Sequence, residues 1–275
     1  MKNKNKASVN LIHFKVCVRR YYQLILQDKV SATMLLLQAP LMLIVLSLII
    51  PFNCFKNPAD IWYADMGLFV LIIMCSMMGL LNSYREICKE REVLAREYNA
   101  GLDMTAYVLS KVFVLGTICL VQSVILCIGS YIIIDFPSPF PVFSEVLYWL
   151  VIFIVLFASS VTGIFISSVL KSSDSAILPV LFILIMQIVM SGMLVTLEGS
   201  LELISMACVS RWGLCALGQV FNRNNLFPSI PATIKDFYNY ELSTCIIVLI
   251  GIIVALTFAS VIVLKLSFKK KYKKN

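Results

Sequence analysis

The stretch Ser83–Lys111, SYREICKEREVLAREYNAGLDMTAYVLSK, is the one long, densely charged segment lying between apolar runs. Its formal charges cancel, with Arg85, Lys89, Arg91 and Arg96 against Glu86, Glu90, Glu92 and Glu97. Glu92 and Arg96 stand four apart in the favourable order, and Glu86–Lys89 and Lys89–Glu92 stand three apart, which predicts a solvated helix laced with ion pairs. Ile87, Leu94 and Tyr98 add a narrow apolar strip along one side. Gly101 is suited to stop this helix and Asp103 to cap the next. A charge-balanced helix grips anionic lipid poorly, because that takes a basic cluster. It suits a protein surface carrying both signs of charge. Two readings follow: a docking helix on which a soluble partner pushes, and a plain solvated connector between two spans.

The composition around this helix is that of an integral membrane protein. Of 275 residues, 60% are hydrophobic and only 14% charged, and the mean hydropathy is +0.91. Soluble domains are nearer half apolar and a quarter charged. Nine cysteines are scattered without a CxxC pair, and His13 is the single histidine, which removes most metal sites and any Ser–His or Cys–His catalysis. No Walker A, Rossmann or EF-hand pattern is present. The reading is of a chain that is no enzyme, holds no metal or cofactor, and relies on another chain for any use of ATP.

Working outward, Met1–Asn10 is polar and is expected to be disordered. Leu11–Lys29 places Leu11, Phe14, Val18, Tyr21, Tyr22 and Ile25 at helical spacing among basic residues, the pattern of an amphipathic interface helix or, alternatively, of a docking surface. Six charge-free runs then predict six transmembrane helices: Ala32–Phe52, Met66–Leu81, Val112–Ile134, Val146–Leu170, Ile177–Leu197 and Leu242–Leu264. Placing the N-terminus in the cytoplasm leaves only Lys56, Arg211, Arg223 and Lys235, of 23 Lys and Arg, on the outer side. The C-terminus is then cytoplasmic too, and the net charge of +8 belongs to membrane topology and to a basic tail clamped on lipid, with no nucleic acid. Pro137, Pro139 and Pro141 stiffen one outer loop. The long outer segment Glu198–Glu241 contains LELISMACVSRWGLCAL, apolar enough to re-enter the membrane edge and too interrupted to span it. The domain reading is 1–29 for the cytoplasmic N-terminus and connecting helix, 30–268 for the spans and 269–275 for the basic tail.

No charge lies in any span core, which argues against ion-coupled transporters and channels. Gln38, Gln122 and Gln187 read as interhelical hydrogen-bonding groups, and Ser159, Gly163 and Ser167 as a ridge for close helix packing. Met74, Met77 and Met78, with Met186, Met190 and Met193, are adaptable apolar groups, either packing or lining a greasy cavity.

Three stretches resemble a known family. RRYYQLILQDKVSATMLLLQAPL is similar to the connecting helix and first span of the transmembrane domain of ATP-binding-cassette exporters of the G subfamily and their ABC-2 type relatives. Glu90-Arg91, Arg96-Glu97, Tyr98 and Ser110-Lys111 match, in order, the pairs of the family's elbow between the second and third spans. SGMLVTL and SRWGLCALGQVFN are similar to its stretch around the fifth span and re-entrant loop. The resemblance implies a dimeric permease whose cavity lies between the second and fifth spans of two copies, identical or paralogous. It places Cys75 and Met78 at that cavity with Ile185 and Ile188 opposite, Met193 and Leu194 at an apolar valve, and Arg85, Glu86, Glu90, Arg91, Arg96 and Glu97 at the surface that meets the ATPase. Two departures stand out: no nucleotide-binding domain accompanies these spans, so that the ATPase is a separate protein or this chain is a fragment, and Met193 replaces the usual Leu. The expectation is an exporter subunit in the plasma membrane, with ATP and Mg held by a separate ATPase and a hydrophobic or amphipathic substrate. The rival from another class is a membrane scaffold or signalling component that recruits a soluble protein and moves nothing.

Overall fold

The computed structural model describes residues 11–51, 61–134, 142–195, 199–221 and 240–272. The polar N-terminal decapeptide, the triple-proline loop, Lys56, Arg223, Lys235 and the last three residues lie outside them. Every regular element among the described residues is helical. Helix α1 spans Leu11–Gln27 and α2 Lys29–Ile49. Asp28 separates them by capping α2: its carboxylate accepts from the Ser31 amide at 3.2 Å and from the Ser31 hydroxyl at 2.6 Å. Helix α3 spans Ile61–Ser83. The charged stretch forms a turn, a 3-10 turn at Cys88–Glu90 and the short helix α4, Arg91–Asn99. Gly101 ends α4 at φ +98°, and Asp103 caps α5, Met104–Ile133, by accepting from the Thr105 amide at 3.0 Å. Helix α6 spans Val142–Val169, α7 Ile177–Val189, α8 Ser200–Ser205, α9 Val209–Val220 and α10 Leu242–Tyr272.

Five helices among the described residues are long and apolar enough to cross a membrane: α2, α3, α5, α6 and α10. Six were expected. Among the described residues of the run Ile177–Leu197, only the 13 of α7 are helical, about 20 Å at ~1.5 Å per residue against a ~30 Å hydrocarbon layer. The helix stops where Ser191 and Gly192 follow. The Ser191 hydroxyl donates to the Ile188 carbonyl at 2.8 Å, and Gly192 adopts φ +88°. Unbroken apolarity extended the sequence reading past this stop.

The core is built on α3 against α6. A methyl group at Gly79 would stand 2.9 Å from the Ser160 amide nitrogen, and one at Gly163 would stand 2.9 Å from the Leu80 carbonyl. Ser159, Gly163 and Ser167 therefore form the close-packing ridge their spacing indicated. The next layer is α9, whose residues Val209–Gly218 are buried almost throughout against α3, α6 and α10. The second half of the segment read as dipping at the outer edge thus lies inside the bundle, whereas Leu203 and Ile204 before it are exposed. Gln187 ties α7 to α9 by accepting from the Ser210 amide at 2.8 Å, and Gln122 ties α5 to α2 by donating to the Leu35 carbonyl at 2.9 Å. Helices α2 and α10 present apolar residues outward, among them Leu37, Ile44 and Leu48, and Val254 and Phe258. In water this would be a large exposed patch; in a bilayer it is the lipid-facing surface.

Candidate functional site

At the end of the bundle that carries α1 and α4, charges from four segments meet. Lys111 lies two turns inside α5 and is only 2% exposed. An unpaired cation there would be prohibitive. Its ammonium instead stands 2.9 Å from Glu90 Oε1 and 3.5 Å from Glu86 Oε2, and 3.6 Å from the centre of the Tyr21 ring. The Tyr107 hydroxyl, one turn earlier on α5, donates to Glu90 Oε2 at 2.9 Å. From α1, Arg20 pairs with Glu97 and reaches Glu90 Oε2 at 3.7 Å. Lys89 completes the group by pairing with Glu86. Three cations face three carboxylates, so the cluster is neutral as a whole.

The surroundings act on the α1 members. Burial first, and then the neighbouring Glu86, push the Tyr21 phenol well above its ordinary range, so it stays a neutral hydroxyl. Burial would lower the Arg20 guanidinium, but the hydrogen bond and charge of Glu97, with Glu90 beyond, more than offset it and raise it.

A second set of bonds fixes the elbow to the far helices. The Ile87 and Cys88 amides both donate to the Ser167 hydroxyl at 3.0 Å. Arg91 donates to the Ser168 carbonyl at 3.3 Å and to the Leu170 carbonyl, satisfying the C-terminal end of α6, and to the Ser267 hydroxyl of α10 at 2.7 Å. Ile87 and Leu94 are fully buried beneath these bonds. Along α1, the stripe of Phe14, Val18, Tyr21 and Ile25 packs on α5, with the Tyr22 hydroxyl 2.7 Å from the Thr117 hydroxyl. It is Ile12, Val16 and Leu24 that remain outward for lipid.

This revises the solvated-helix reading. Between residues 83 and 98, Glu86, Glu90, Arg91 and Glu97 turn into the protein, and only Arg85, Lys89, Glu92, Val93 and Arg96 are exposed. Spacing along one helix could not show this, because Arg20 and Lys111 come from other elements. One signal was available: Lys111 is followed at once by Val112–Leu115, so its place is within a span rather than before one. The remaining positions are dispersed. Cys75 and Met78 have no exposed surface and sit in the α3 packing core. Ile188 and Met193 pack against that core, whereas Ile185 is 58% and Leu194 54% exposed.

Among the described residues no group of His, Cys, Asp and Glu could hold a metal ion. The site is a neutral ion network joining α1, the elbow and α5, dry at Lys111 and partly exposed at Arg20, Lys89 and Glu97. The sequence model of the ABC-2 type transporter family matches residues 12–217, which takes in α1, the elbow and most of α9. The chain belongs to the ABC-2 type transporter family. It is therefore a multi-pass membrane protein of a transporter permease family. It is also similar to the ABC transporter ATP-binding/permease protein Rv1747 of Mycobacterium tuberculosis (strain ATCC 25618 / H37Rv), at 29% identity over 234 residues. That match covers 81% of this ABC-2 chain and 27% of the relative, so the chain spans about a quarter of the relative's length. No nucleotide-binding domain lies among the described residues.

Proposed function

We propose that the chain is the permease subunit of an ATP-binding-cassette exporter in the plasma membrane, moving a hydrophobic or amphipathic substrate by alternating access. The α1–α4 end faces the cytoplasm, as the distribution of Lys and Arg favours. A separate ATPase, holding ATP and Mg, docks on the exposed elbow face of Arg85, Lys89, Glu92, Val93 and Arg96. A second copy or paralogue packs on the apolar face of α7, where Leu178, Phe182 and Ile185 are exposed at helical spacing. Ile185 and Leu194 then border the shared path, with Ile188 and Met193 behind them. Cys75 and Met78 join it only in a state where α3 has turned out of its present packing.

The observation that carries this reading is the partly buried, charge-balanced cluster of Arg20, Lys89 and Lys111 with Glu86, Glu90 and Glu97. It makes the elbow one rigid piece with α1 and α5, so a push on α4 moves both instead of bending a loop. Glu86, Glu90 and Glu97 are the inner half of the coupling set, and Arg91 passes the movement to α6 and α10. Nucleotide can drive the switch only if the ATPase dimer binds the two permease states with different affinity.

The test is reconstitution with the ATPase in lipid. Glu92→Arg with Arg96→Glu, on the exposed face, should weaken ATPase binding and substrate-stimulated turnover while leaving thermal stability unchanged. Glu90→Ala with Arg91→Ala should uncouple turnover from substrate in a complex that still assembles. Full coupling in both variants would refute the transmission role.

A further inference from the structure

A groove opens where α1 turns into α2, and the transmission cluster does not use its depth. Its volume is about 1310 Å³, more than the ~300–1,000 Å³ typical of pockets for drug-sized ligands. One wall is α2, with Met34, Leu37 and Leu41; the other is Leu81 of α3 with Leu115 and Ile118 of α5. All six are apolar. The rim is charged, with Arg20, Asp28, Arg85, Glu86 and Lys89. An apolar trough beneath a rim of both signs matches an amphiphile with a zwitterionic head.

Two rim groups have bonding capacity to spare. Arg85 is exposed, stacks 4.8 Å over the Tyr84 ring and makes no ion pair among the described residues. Asn82, also on the groove, is only 7% exposed. Its amide nitrogen donates to Gln122 Oε1 at 2.7 Å, which fixes the side chain's orientation, since Gln122 in turn donates to the Leu35 carbonyl at 2.9 Å. The Asn82 Oδ1 that remains is buried and accepts from nothing. A buried acceptor without a donor costs on the order of 1–3 kcal/mol, and the surrounding helices hold it in place regardless.

We infer that this groove is a phospholipid site selective for a primary-ammonium head group, such as phosphatidylethanolamine. The phosphate lies on the Arg85 guanidinium, the ammonium donates to Asn82 Oδ1 once a small shift of that side chain uncovers the oxygen to the groove, and the acyl chains run along the Leu37–Leu41 and Leu81 walls. Arg85 suits the phosphate because its guanidinium presents several N–H donors to the phosphate oxygens. Selectivity follows from the donor: a choline head group has the same charge and phosphate but no N–H. The inference concerns binding by the membrane-embedded chain and holds whether or not cargo is moved.

The test measures lipid retained by the full chain. The protein is reconstituted in nanodiscs of equal phosphatidylethanolamine and phosphatidylcholine, extracted in detergent, and its bound lipid quantified by mass spectrometry. The expected result is enrichment of phosphatidylethanolamine by about tenfold, the worth of one charge-assisted hydrogen bond. Asn82→Leu should equalise the two lipids, and Arg85→Gln should lower retention of both. Leu37→Trp fills the trough without removing any hydrogen bond and should halve retention or better. Bound lipid mirroring the bulk mixture, or a preference that survives Asn82→Leu, overturns the assignment. So does a change of oligomeric state, without loss of lipid, in Leu37→Trp, since the groove then belongs to a second chain.

Discussion

Replacing Lys111 by methionine separates the structural and mechanical roles of the buried cluster. Lys111 is 2% exposed and is the cation shared by Glu86 and Glu90, whose side chains are each 13% exposed. Met fills nearly the same volume, so packing changes little and electrostatics dominate. The two carboxylates are left with Lys89 on one and a 3.7 Å contact to Arg20 on the other. Removing one partner of a buried ion pair costs about 3–5 kcal/mol, far above the 0–1 kcal/mol of an exposed pair. At ~2–4 °C per kcal/mol for a chain of this size, the midpoint of thermal unfolding should fall by roughly 6–20 °C. The triple variant Lys111→Met, Glu86→Gln, Glu90→Gln removes every stranded charge and should recover most of that loss. Unfolding followed by tryptophan fluorescence in nanodiscs, together with ATP turnover in the reconstituted complex, reads both properties. The triple variant should be stable yet poorly coupled. A single-variant loss within the range of an exposed pair would show that the cluster is not dry. A triple variant that couples normally would show that its charges play no part in transmission.

Gly101→Val should cost about 1–2 kcal/mol, because φ +98° is unfavourable for a β-branched residue although nothing stands within 4 Å of the added carbon; thermal unfolding measures it, and Gly101→Asn should be milder. Gly163→Leu should be far more damaging, at least ~3 kcal/mol, since the first added carbon already meets Ser83 and Leu80 of α3; loss of the monodisperse folded species in size-exclusion chromatography is the readout. The Asp28 carboxyl is held below its ordinary range by the Ser31 hydroxyl and amide. A lowered carboxylate contributes stability above its unfolded value and loses it as pH falls through the folded one, so the protection of amides at the start of α2, relative to their intrinsic exchange rates, should fall below about pH 4. Asp28→Ala should remove that pH dependence.

The helix boundaries were legible where a single residue dictates backbone geometry. Gly101 and Asp103 announced the end of α4 and the start of α5, and Ser159, Gly163 and Ser167 announced a close helix contact. Gln122 and Gln187 were rightly read as interhelical bonds, because a lone amide in an apolar run has few other uses. The orientation of the elbow was not legible. Its glutamates have partners within the same helix at allowed spacing, and nothing in that spacing shows that cations from α1 and α5 compete for them. The inward face of α3 was hidden for a different reason: a helix apolar all round carries no periodic mark of which side meets protein. Cys75 and Met78 therefore could not be placed from composition. The short reach of α7 was masked in the same way, by apolar residues continuing past Ser191.

The acidic side chains gathered under the elbow are synthesised before the buried lysine that Glu86 and Glu90 share. As the chain leaves the ribosome, Glu86 and Glu90 emerge with Arg20 and Lys89 already made, but Lys111 is still to come. Until α5 is in the bilayer, Glu86 and Glu90 lack the cation that lets them sit away from water, so the hinge stays in water. Completion of the third long hairpin limb is what lets it close, so the order of translation itself protects the segment from being dragged into lipid.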